Sequence, residues 1–181
     1  MNEPMGWNKS APPSDGHEVL QVVNARNQPC GVARREEIHR RGLFLRSVHI
    51  LLLNLKGELF LQKRSATKDT YPGYWDTSVG GHVLPGEFYE DAAQREMVEE
   101  LGVSCVIEAV GDLAASEATG WEFVKVYEAR HDGPIHPNPH EIAEGRFATP
   151  DALNRELHDP EARFTPSFRE GFVLWRMSRK V

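Results

Sequence analysis

The sequence predicts an α/β fold in a single domain, on three observations. Strand-like apolar runs alternate along the chain with amphipathic helical segments. A chain of 181 residues suffices for one domain with a sizeable core and leaves little room for two. Hydrophobic residues make up 40% and charged residues 27%, which is an ordinary globular composition. The domain is expected to span residues 17–181, after a flexible tail of residues 1–16 that is rich in Pro, Ser, Gly and Asn.

The sequence pattern in the first half of the domain predicts mainly strands. The runs EVLQVV and CGVA flank the turn residues NARNQP and predict a β-hairpin. The stretch RREEIHRRG predicts a short polar helix that ends at Gly42. SVHILLLNLKGELFLQKR predicts two strands joined by a turn at residues 54–57. An irregular loop is expected for residues 65–74, followed by a strand around WDTSV.

The sequence pattern in the second half of the domain predicts both helices and strands. A helix is expected over residues 90–101, stopped by Gly102, and strands over residues 104–110 and 123–129. The stretch HPNPHEIAEGRF is interpreted as a loop. TPDALNREL and TPSFREGFVLW each predict a helix, with Thr at the N-cap and Pro at the first helical position.

Charge and cysteine content restrict the classes of partner. The net charge of -6 argues against a broad surface for nucleic acid or anionic membrane, but not against an acidic small molecule. Cys30 and Cys105 are isolated, so neither a disulfide framework nor a cysteine metal cluster is expected. The longest apolar run, residues 48–53, is too short to span a bilayer, and the N-terminus lacks an apolar signal core. A cytoplasmic protein with a small-molecule substrate is therefore expected.

Three glutamates, Glu96, Glu99 and Glu100, fall on one side of the predicted helix over residues 90–101. A different, apolar side is expected to pack on the sheet and contains Ala93, Met97 and Leu101. Neighbouring carboxylates repel unless a cation neutralises them, and their oxygens suit Mg²⁺ or Mn²⁺. The alternative is a solvated acidic face on which Arg95 pairs with Glu99 at the i,i+4 spacing.

The segment around these glutamates, GHVLPGEFYEDAAQREMVEELGV (residues 81–103), resembles the signature of the Nudix hydrolase family. It has Gly, five residues, Glu, seven residues, Arg-Glu, an apolar residue, any residue, Glu-Glu, any residue, Gly and an apolar residue. The order of predicted elements is similar to the Nudix domain from about residue 18 onward. The resemblance implies the Nudix fold, an α/β/α sandwich with a mixed sheet.

The resemblance also implies a reaction. Nudix enzymes typically use a divalent metal and water to cleave a phosphoanhydride bond in a nucleoside di- or triphosphate or a nucleoside diphosphate derivative. By this resemblance the metal, Mg²⁺ or Mn²⁺, is bound by a carbonyl of Gly80 or Gly81 and by the three glutamates of the helix. Glu96 and Glu100 carry catalysis, and Glu96 also handles the proton of the attacking water. Glu87 and Arg95 are expected to form an ion pair that braces the loop and the helix.

Further site residues are expected outside the signature. Glu141, on a later loop, is a candidate catalytic base, and its alternative is a solvent-exposed acid; Glu144 and Glu122 are weaker candidates. His82 is either a metal ligand or a hydrogen-bonding loop residue. The basic residues expected to bind substrate phosphates are Arg46, Lys63, Arg64 and Lys68.

Two other functions, and one assembly, are compatible with parts of the sequence. Residues 45–82 are also similar to type I isopentenyl diphosphate isomerase. Gly80, however, occupies the position of the isomerase's proton-transferring cysteine, and Leu45 that of a metal-binding histidine. Gly120 replaces one of its paired glutamates, whereas Glu122 matches the other. A non-catalytic nucleotide-binding Nudix domain is the third class, and the complete signature argues against it. The predicted N-terminal hairpin offers a surface for a homodimer.

Overall fold

The computed structural model describes residues 18–179, which form nine strands and four helices. The strands are β1 (Val19–Val23), β2 (Pro29–Arg34), β3 (Leu45–Leu53), β4 (Leu59–Arg64), β5 (Trp75–Asp76), β6 (Val79–His82), β7 (Ile107–Leu113), β8 (Glu122–Arg130) and β9 (Ile142–Ala148). The helices are α1 (Arg35–Arg41), α2 (Tyr89–Leu101), α3 (Pro150–Glu156) and α4 (Pro166–Ser178). The predicted tail of residues 1–16 lies outside the described residues. No helix within residues 18–179 has the length and apolar character needed to cross a membrane.

Seven strands form one mixed sheet, in which five follow the order β5-β4-β3-β8-β7. β6 also pairs with β3, and β9 also pairs with β4. β3 and β8 run parallel along their whole length, whereas the other pairs are antiparallel. β1 and β2 form the predicted hairpin as a separate two-stranded sheet. The expected mixed sheet is thus confirmed, and a homodimer through the hairpin stays a prediction.

Helices cover both faces of the sheet. Side chains of β3 point alternately to the two faces, so they contribute to two separate cores. Val48, Ile50 and Leu52 belong to the core beneath α2, which also contains Ala92, Ala93, Met97 and Leu101. Leu51 and Leu53 belong to the opposite core, which contains Leu153 of α3 and Phe168, Phe172 and Trp175 of α4. The structure confirms the α/β/α sandwich and the predicted apolar side of α2.

The two central strands β3 and β4 separate soon after the turn that joins them. They pair only at Leu53 and Leu59, after which β3 pairs with β6 and β8, and β4 with β5 and β9. Beyond that point, His49 of β3 and Gln62 of β4 line the same cleft. The divergence of the strands therefore positions the site.

Local sequence signals set most helix ends as predicted. Gly42 and Gly102 end α1 and α2 in the left-handed conformation, with φ of 61° and 64°, which glycine adopts without a steric penalty. Thr149 and Thr165 accept a hydrogen bond from a backbone N–H in the first turn of α3 and of α4.

The interpretation of HPNPHEIAEGRF as a loop is wrong for its second half. Ile142–Ala148 is strand β9, which pairs along β4. Most of its side chains are exposed and it contains Gly145, so the strand lacks an apolar alternation that sequence reasoning recognises. Its pairing with β4 is a tertiary contact, and that contact decides its conformation.

Replacing Thr165 with Ala should destabilise the fold more than the matched change at Thr149. Thr165 is 3% exposed, and its hydroxyl both caps α4 and donates to Asp76 Oδ1 at 2.7 Å, whereas Thr149 is exposed and only caps α3. The expected loss of unfolding free energy is about 2–3 kcal/mol for Thr165→Ala and about 1 kcal/mol for Thr149→Ala. Urea denaturation measures both, and equal losses would contradict the role given to the Asp76 contact.

Candidate active site

A cleft of about 460 Å³ lies beside α2, a volume in the usual range for a small-molecule site. Carboxylates and cationic side chains both line it. The carboxylates are Glu18, Asp76, Glu96, Glu99, Glu100, Glu122 and Glu141. The cationic side chains are Arg35, Arg64, Lys68 and Arg95. Both glycines that were expected to offer a carbonyl to a metal, Gly80 and Gly81, also line the cleft.

The carboxyl group of Glu96 lies directly against strand β6. A Cβ atom on Gly81 would be 1.9 Å from Cδ of Glu96, far inside any real contact. Gly80 is less restricted, since its Cβ would be 3.3 Å from Cγ2 of Thr77. Position 81 must therefore be glycine for the Glu96 carboxyl group to occupy this place.

The Arg95 guanidinium connects the loop before α2 to the helix. It donates to both carboxylate oxygens of Glu87 at 2.9 and 3.0 Å, and to the carbonyl oxygen of His82 at 2.9 Å. Its Nη1 atom also contacts Glu96 at 2.7 Å and Glu99 at 3.2 Å. The predicted ion pair between Glu87 and Arg95 is confirmed, and it is bidentate.

Two of the three helix glutamates are buried, in contrast to the alternative of a fully solvated acidic face. Glu96 is 9% exposed and Glu100 is 5% exposed, whereas Glu99 is on the solvent side. Burial raises the pKa of Glu96 to about 7, although Arg95 opposes the shift. Burial, with the nearby charges of Glu96 and Glu141, raises the pKa of Glu100 well above its ordinary value.

The structure brings Glu141 to the cleft with Lys68. The Lys68 ammonium contacts the Glu141 carboxylate, and Glu100 accepts a hydrogen bond from Nε2 of Gln62 at 2.9 Å. Glu144, the other acid of that segment, pairs with Lys63 at 3.2 Å and does not line the cleft. Of the two acids, only Glu141 lines the cleft.

His82 lies between two carboxylates. Its Nδ1 atom is 3.4 Å from Glu18 and its Nε2 atom is 3.4 Å from Glu122. Burial disfavours the charged imidazole, but the two carboxylates outweigh it and raise the pKa of His82 to about 9. Burial disfavours the charged form of Glu122 too, but His82 outweighs it and lowers the pKa of that carboxyl group to about 2. His82 thus contacts both carboxylates from the end of strand β6, and not from a loop as the sequence suggested.

Only two of the four predicted phosphate-binding residues line the cleft, Arg64 and Lys68. Arg46 lies elsewhere: its guanidinium bonds to the side chain and the carbonyl oxygen of Asn27 and stacks on Tyr89. Lys63, held by Glu144, also lies outside. Lys63 lies outside the cleft because neighbouring side chains in β4 point to opposite faces of the sheet, and Arg64 points to the cleft.

Sequence reasoning missed Arg35 and His49, which both line the cleft. Arg35, the first residue of α1, is 9% exposed and pairs with Asp69 at 3.3 Å. In the sequence it is one basic residue of a polar helix, and nothing there indicates burial. His49 is likewise hidden within an apolar strand, where burial lowers its pKa, and it lines the cleft near α4.

The residues beside Gly81 fit a divalent cation. Glu96 and Glu100 provide hard oxygen donors in a buried place where two negative charges repel, and only glycine at position 81 leaves room for the Glu96 carboxyl group. Within residues 18–179, no three acidic, imidazole or thiol groups are already gathered as a metal shell. Arg95 holds Glu96 and Glu99, and Gln62 holds Glu100. The convergence of the three glutamates on one ion stays a prediction.

Comparison with known proteins identifies the family. The model of the NUDIX domain matches residues 43–168. An uncharacterised Nudix hydrolase of Pseudomonas aeruginosa, PA4841, is 39% identical over 150 residues, which cover 82% of this chain and 86% of the relative. The chain belongs to the Nudix family and is a Nudix hydrolase.

Two further relatives show what else the chain is similar to. The crystal structure of DR0079 from Deinococcus radiodurans is 31% identical, has a TM-score of 0.73, and matches over 90% of this chain and 98% of that one. A protein of Burkholderia multivorans named isopentenyl-diphosphate Delta-isomerase is 30% identical over 156 residues, which cover 83% of this chain and 89% of the relative. The likeness to isomerases seen in the sequence is therefore confirmed.

Replacing Gly81 with Ala should remove most activity without unfolding the protein. The added methyl group would displace the Glu96 carboxyl group, which is the flexible end of a side chain and can swing away. Gly31→Ala is the matched control, because a Cβ there meets nothing within 4 Å. Turnover and melting temperature of both variants test this, and a fully active Gly81→Ala enzyme would contradict the placement of Glu96.

The stability of the metal-free protein should depend on the protonation of Glu96 between pH 4.5 and about 7. The folded-state pKa of Glu96 is about 7 against an ordinary value of 4.5, so in this window the folded chain retains a proton that the unfolded chain releases. The contribution of Glu96 is full below pH 4.5 and is lost as the pH rises through 7. In a chelator, the melting temperature of Glu96→Gln should therefore rise relative to wild type as the pH increases, and a constant difference would refute it.

Proposed function

We propose that this Nudix hydrolase cleaves a phosphoanhydride bond in a nucleoside di- or triphosphate or a nucleoside diphosphate derivative, with Mg²⁺ or Mn²⁺. One observation carries the proposal: buried carboxylates Glu96 and Glu100 share a cleft with the cationic side chains Arg64 and Lys68. A substrate that uses both sets of residues must be anionic and must also accept a metal ion. A diphosphate meets both requirements.

Charge repulsion supports the metal part of the proposal. The raised pKa values of Glu96 and Glu100 mean that the second negative charge is unfavourable in the metal-free cleft. A divalent cation would be held by Glu96, Glu99, Glu100 and a carbonyl of Gly80 or Gly81. When bound, it supplies charge neutralisation of the diphosphate oxygens and activation of water.

The chain's own residues bind, orient and exchange protons. Arg64 and Lys68, with Arg35, line the cleft and would bind phosphate oxygens of the substrate. Arg95 orients the Glu96 carboxylate and connects it to the loop through Glu87. Either Glu96 or Glu141 accepts the proton of the attacking water, since both are carboxylates in the cleft.

Isomerisation of isopentenyl diphosphate is the second candidate, favoured by likeness to the isomerase of Burkholderia multivorans. Gly80 lines the cleft but has no group to transfer a proton. Leu45 is 1% exposed and packs with Leu20 and Ile38 in the core of the N-terminal hairpin, where it offers no metal ligand. These two positions support hydrolysis.

A cytoplasmic location remains an expectation from the sequence.

Replacing Glu100 with Gln should lower turnover about 100-fold or more, because the variant loses a charge that holds the metal. The fold should persist, because the neutral amide resembles the protonated carboxyl group that burial favours and can still accept the Gln62 hydrogen bond. Phosphate or pyrophosphate release from a nucleotide panel with Mg²⁺ measures the effect.

The matched control is Asp91→Asn, on the exposed side of the same helix, which should remain within about twofold of wild type. A folded Glu100→Gln enzyme with full Mg²⁺-dependent activity would overturn the proposal. So would isomerisation of isopentenyl diphosphate by the wild-type protein with no release of phosphate or pyrophosphate from any nucleotide.

A further inference from the structure

Gln62 of strand β4 contacts the most deeply buried carboxyl group of helix α2. Its Nε2 atom donates to Oε2 of Glu100 at 2.9 Å, and the two residues are 4% and 5% exposed. Both residues line the cleft. In the sequence, Gln62 is one polar residue between an apolar run and two basic residues, and no role in the site was expected for it.

Other contacts hold both residues of this pair in place. Gln62 lies within the sheet, where it pairs with Asp76 of β5 on one side and with Gly145 of β9 on the other. The carbonyl oxygen of Glu100, in the last turn of α2, accepts a hydrogen bond from the N–H of Asn138 at 2.8 Å. Glu100 is therefore held at its backbone by Asn138 and at its carboxyl group by Gln62, which leaves the side chain few alternative positions.

The charge of the partner distinguishes Glu100 from two other carboxylates of the cleft. Glu96 contacts the guanidinium group of Arg95 at 2.7 Å, and Glu141 contacts the ammonium group of Lys68. Lys68 also attracts Glu100, but the hydrogen bond that orients Glu100 comes from a neutral amide. A neutral donor fixes the direction of a carboxylate and leaves its negative charge available to a cation.

We propose that Gln62 is a positioning residue for the metal, whose neutral amide holds the Glu100 carboxylate ready to bind a divalent cation. The inference rests on the proposed function, because it assumes that Glu100 is a ligand of Mg²⁺ or Mn²⁺. Hydrogen-bond partners that orient metal-binding groups typically contribute about 10- to 100-fold to metal affinity or activity. Gln62 is therefore expected to act on metal affinity through Glu100, without touching the ion or the substrate.

Titration with Mn²⁺ alone, followed by the paramagnetic resonance of the free ion, measures this affinity without substrate or turnover. Gln62→Met keeps the length of the side chain and removes its donor, so it should weaken Mn²⁺ binding about 10-fold or more.

The matched control is Gln94→Met, in α2 itself. The Gln94 amide makes the same kind of hydrogen bond, to the carbonyl oxygen of Cys105 at 2.9 Å, and Gln94 does not line the cleft. Gln94→Met should therefore bind Mn²⁺ as the wild type does.

Gln62→Lys separates positioning from a purely structural role. A lysine restores a donor but adds a fixed positive charge, which would neutralise Glu100 and repel the metal ion. In a chelator, Gln62→Lys should therefore melt at a higher temperature than Gln62→Met, yet it should bind Mn²⁺ more weakly than Gln62→Met. A contribution to stability alone predicts instead that the variant with the higher melting temperature binds the metal at least as well.

Four outcomes overturn the inference. They are wild-type Mn²⁺ affinity in Gln62→Met, equal weakening in Gln94→Met, Mn²⁺ affinities of the two position-62 variants that follow their melting temperatures, and no binding of Mn²⁺ by the wild type. If Gln62→Lys does not fold, the comparison of Gln62→Met with Gln94→Met decides alone.

Failure of this inference and failure of the proposed function give different results. If the position-62 variants behave as expected but the wild type releases neither phosphate nor pyrophosphate from any nucleotide with Mg²⁺, hydrolysis fails and the role of Gln62 stands. If the wild type hydrolyses a nucleotide and Gln62→Met binds Mn²⁺ with wild-type affinity, the role of Gln62 fails and hydrolysis stands.

Discussion

The guanidinium group of Arg95 is the contact on which the site depends. It forms a bidentate pair with Glu87 and also contacts Glu96 and the carbonyl oxygen of His82. The ammonium group of a lysine, which acts as a point charge, could not reproduce this planar geometry. One cation therefore fixes the loop, the end of β6 and the start of the carboxylate cluster. Burial disfavours its charge, but the surrounding carboxylates outweigh that effect and raise the pKa of Arg95 above its ordinary value.

The buried carboxylates place a functional demand on the fold. Glu96 and Glu100 lie on the side of α2 that faces the cleft, and their raised pKa values show how unfavourable two charges are there. Solvent and salt would screen the repulsion within an exposed acidic patch. In this buried pair, the repulsion is relieved only by a bound cation or by protonation. The proposed divalent cation would neutralise this pair of carboxylates, whose charges burial makes unfavourable in the metal-free protein.

The divergence of β3 and β4 gives the cleft its second half. Because the strands pair only at Leu53 and Leu59, His49 and Gln62 reach one cavity from different strands. Ser167, in the first turn of α4, also lines the cleft. Helices α2 and α4 cover opposite faces of the sheet, so the divergence of its strands lets both contribute to one site.

The sequence by itself determined the elements whose signals are local: the helix ends at Gly42 and Gly102, the threonine caps, and the spacing that places the glutamates of α2 together. These follow from backbone sterics and the helical period. Only the tertiary structure decided that Glu96 and Glu100 are buried, that Arg46 bonds to the hairpin and not to the cleft, and that residues 142–148 form a strand. Burial and strand pairing depend on which distant segments meet, and no short stretch of sequence contains that information.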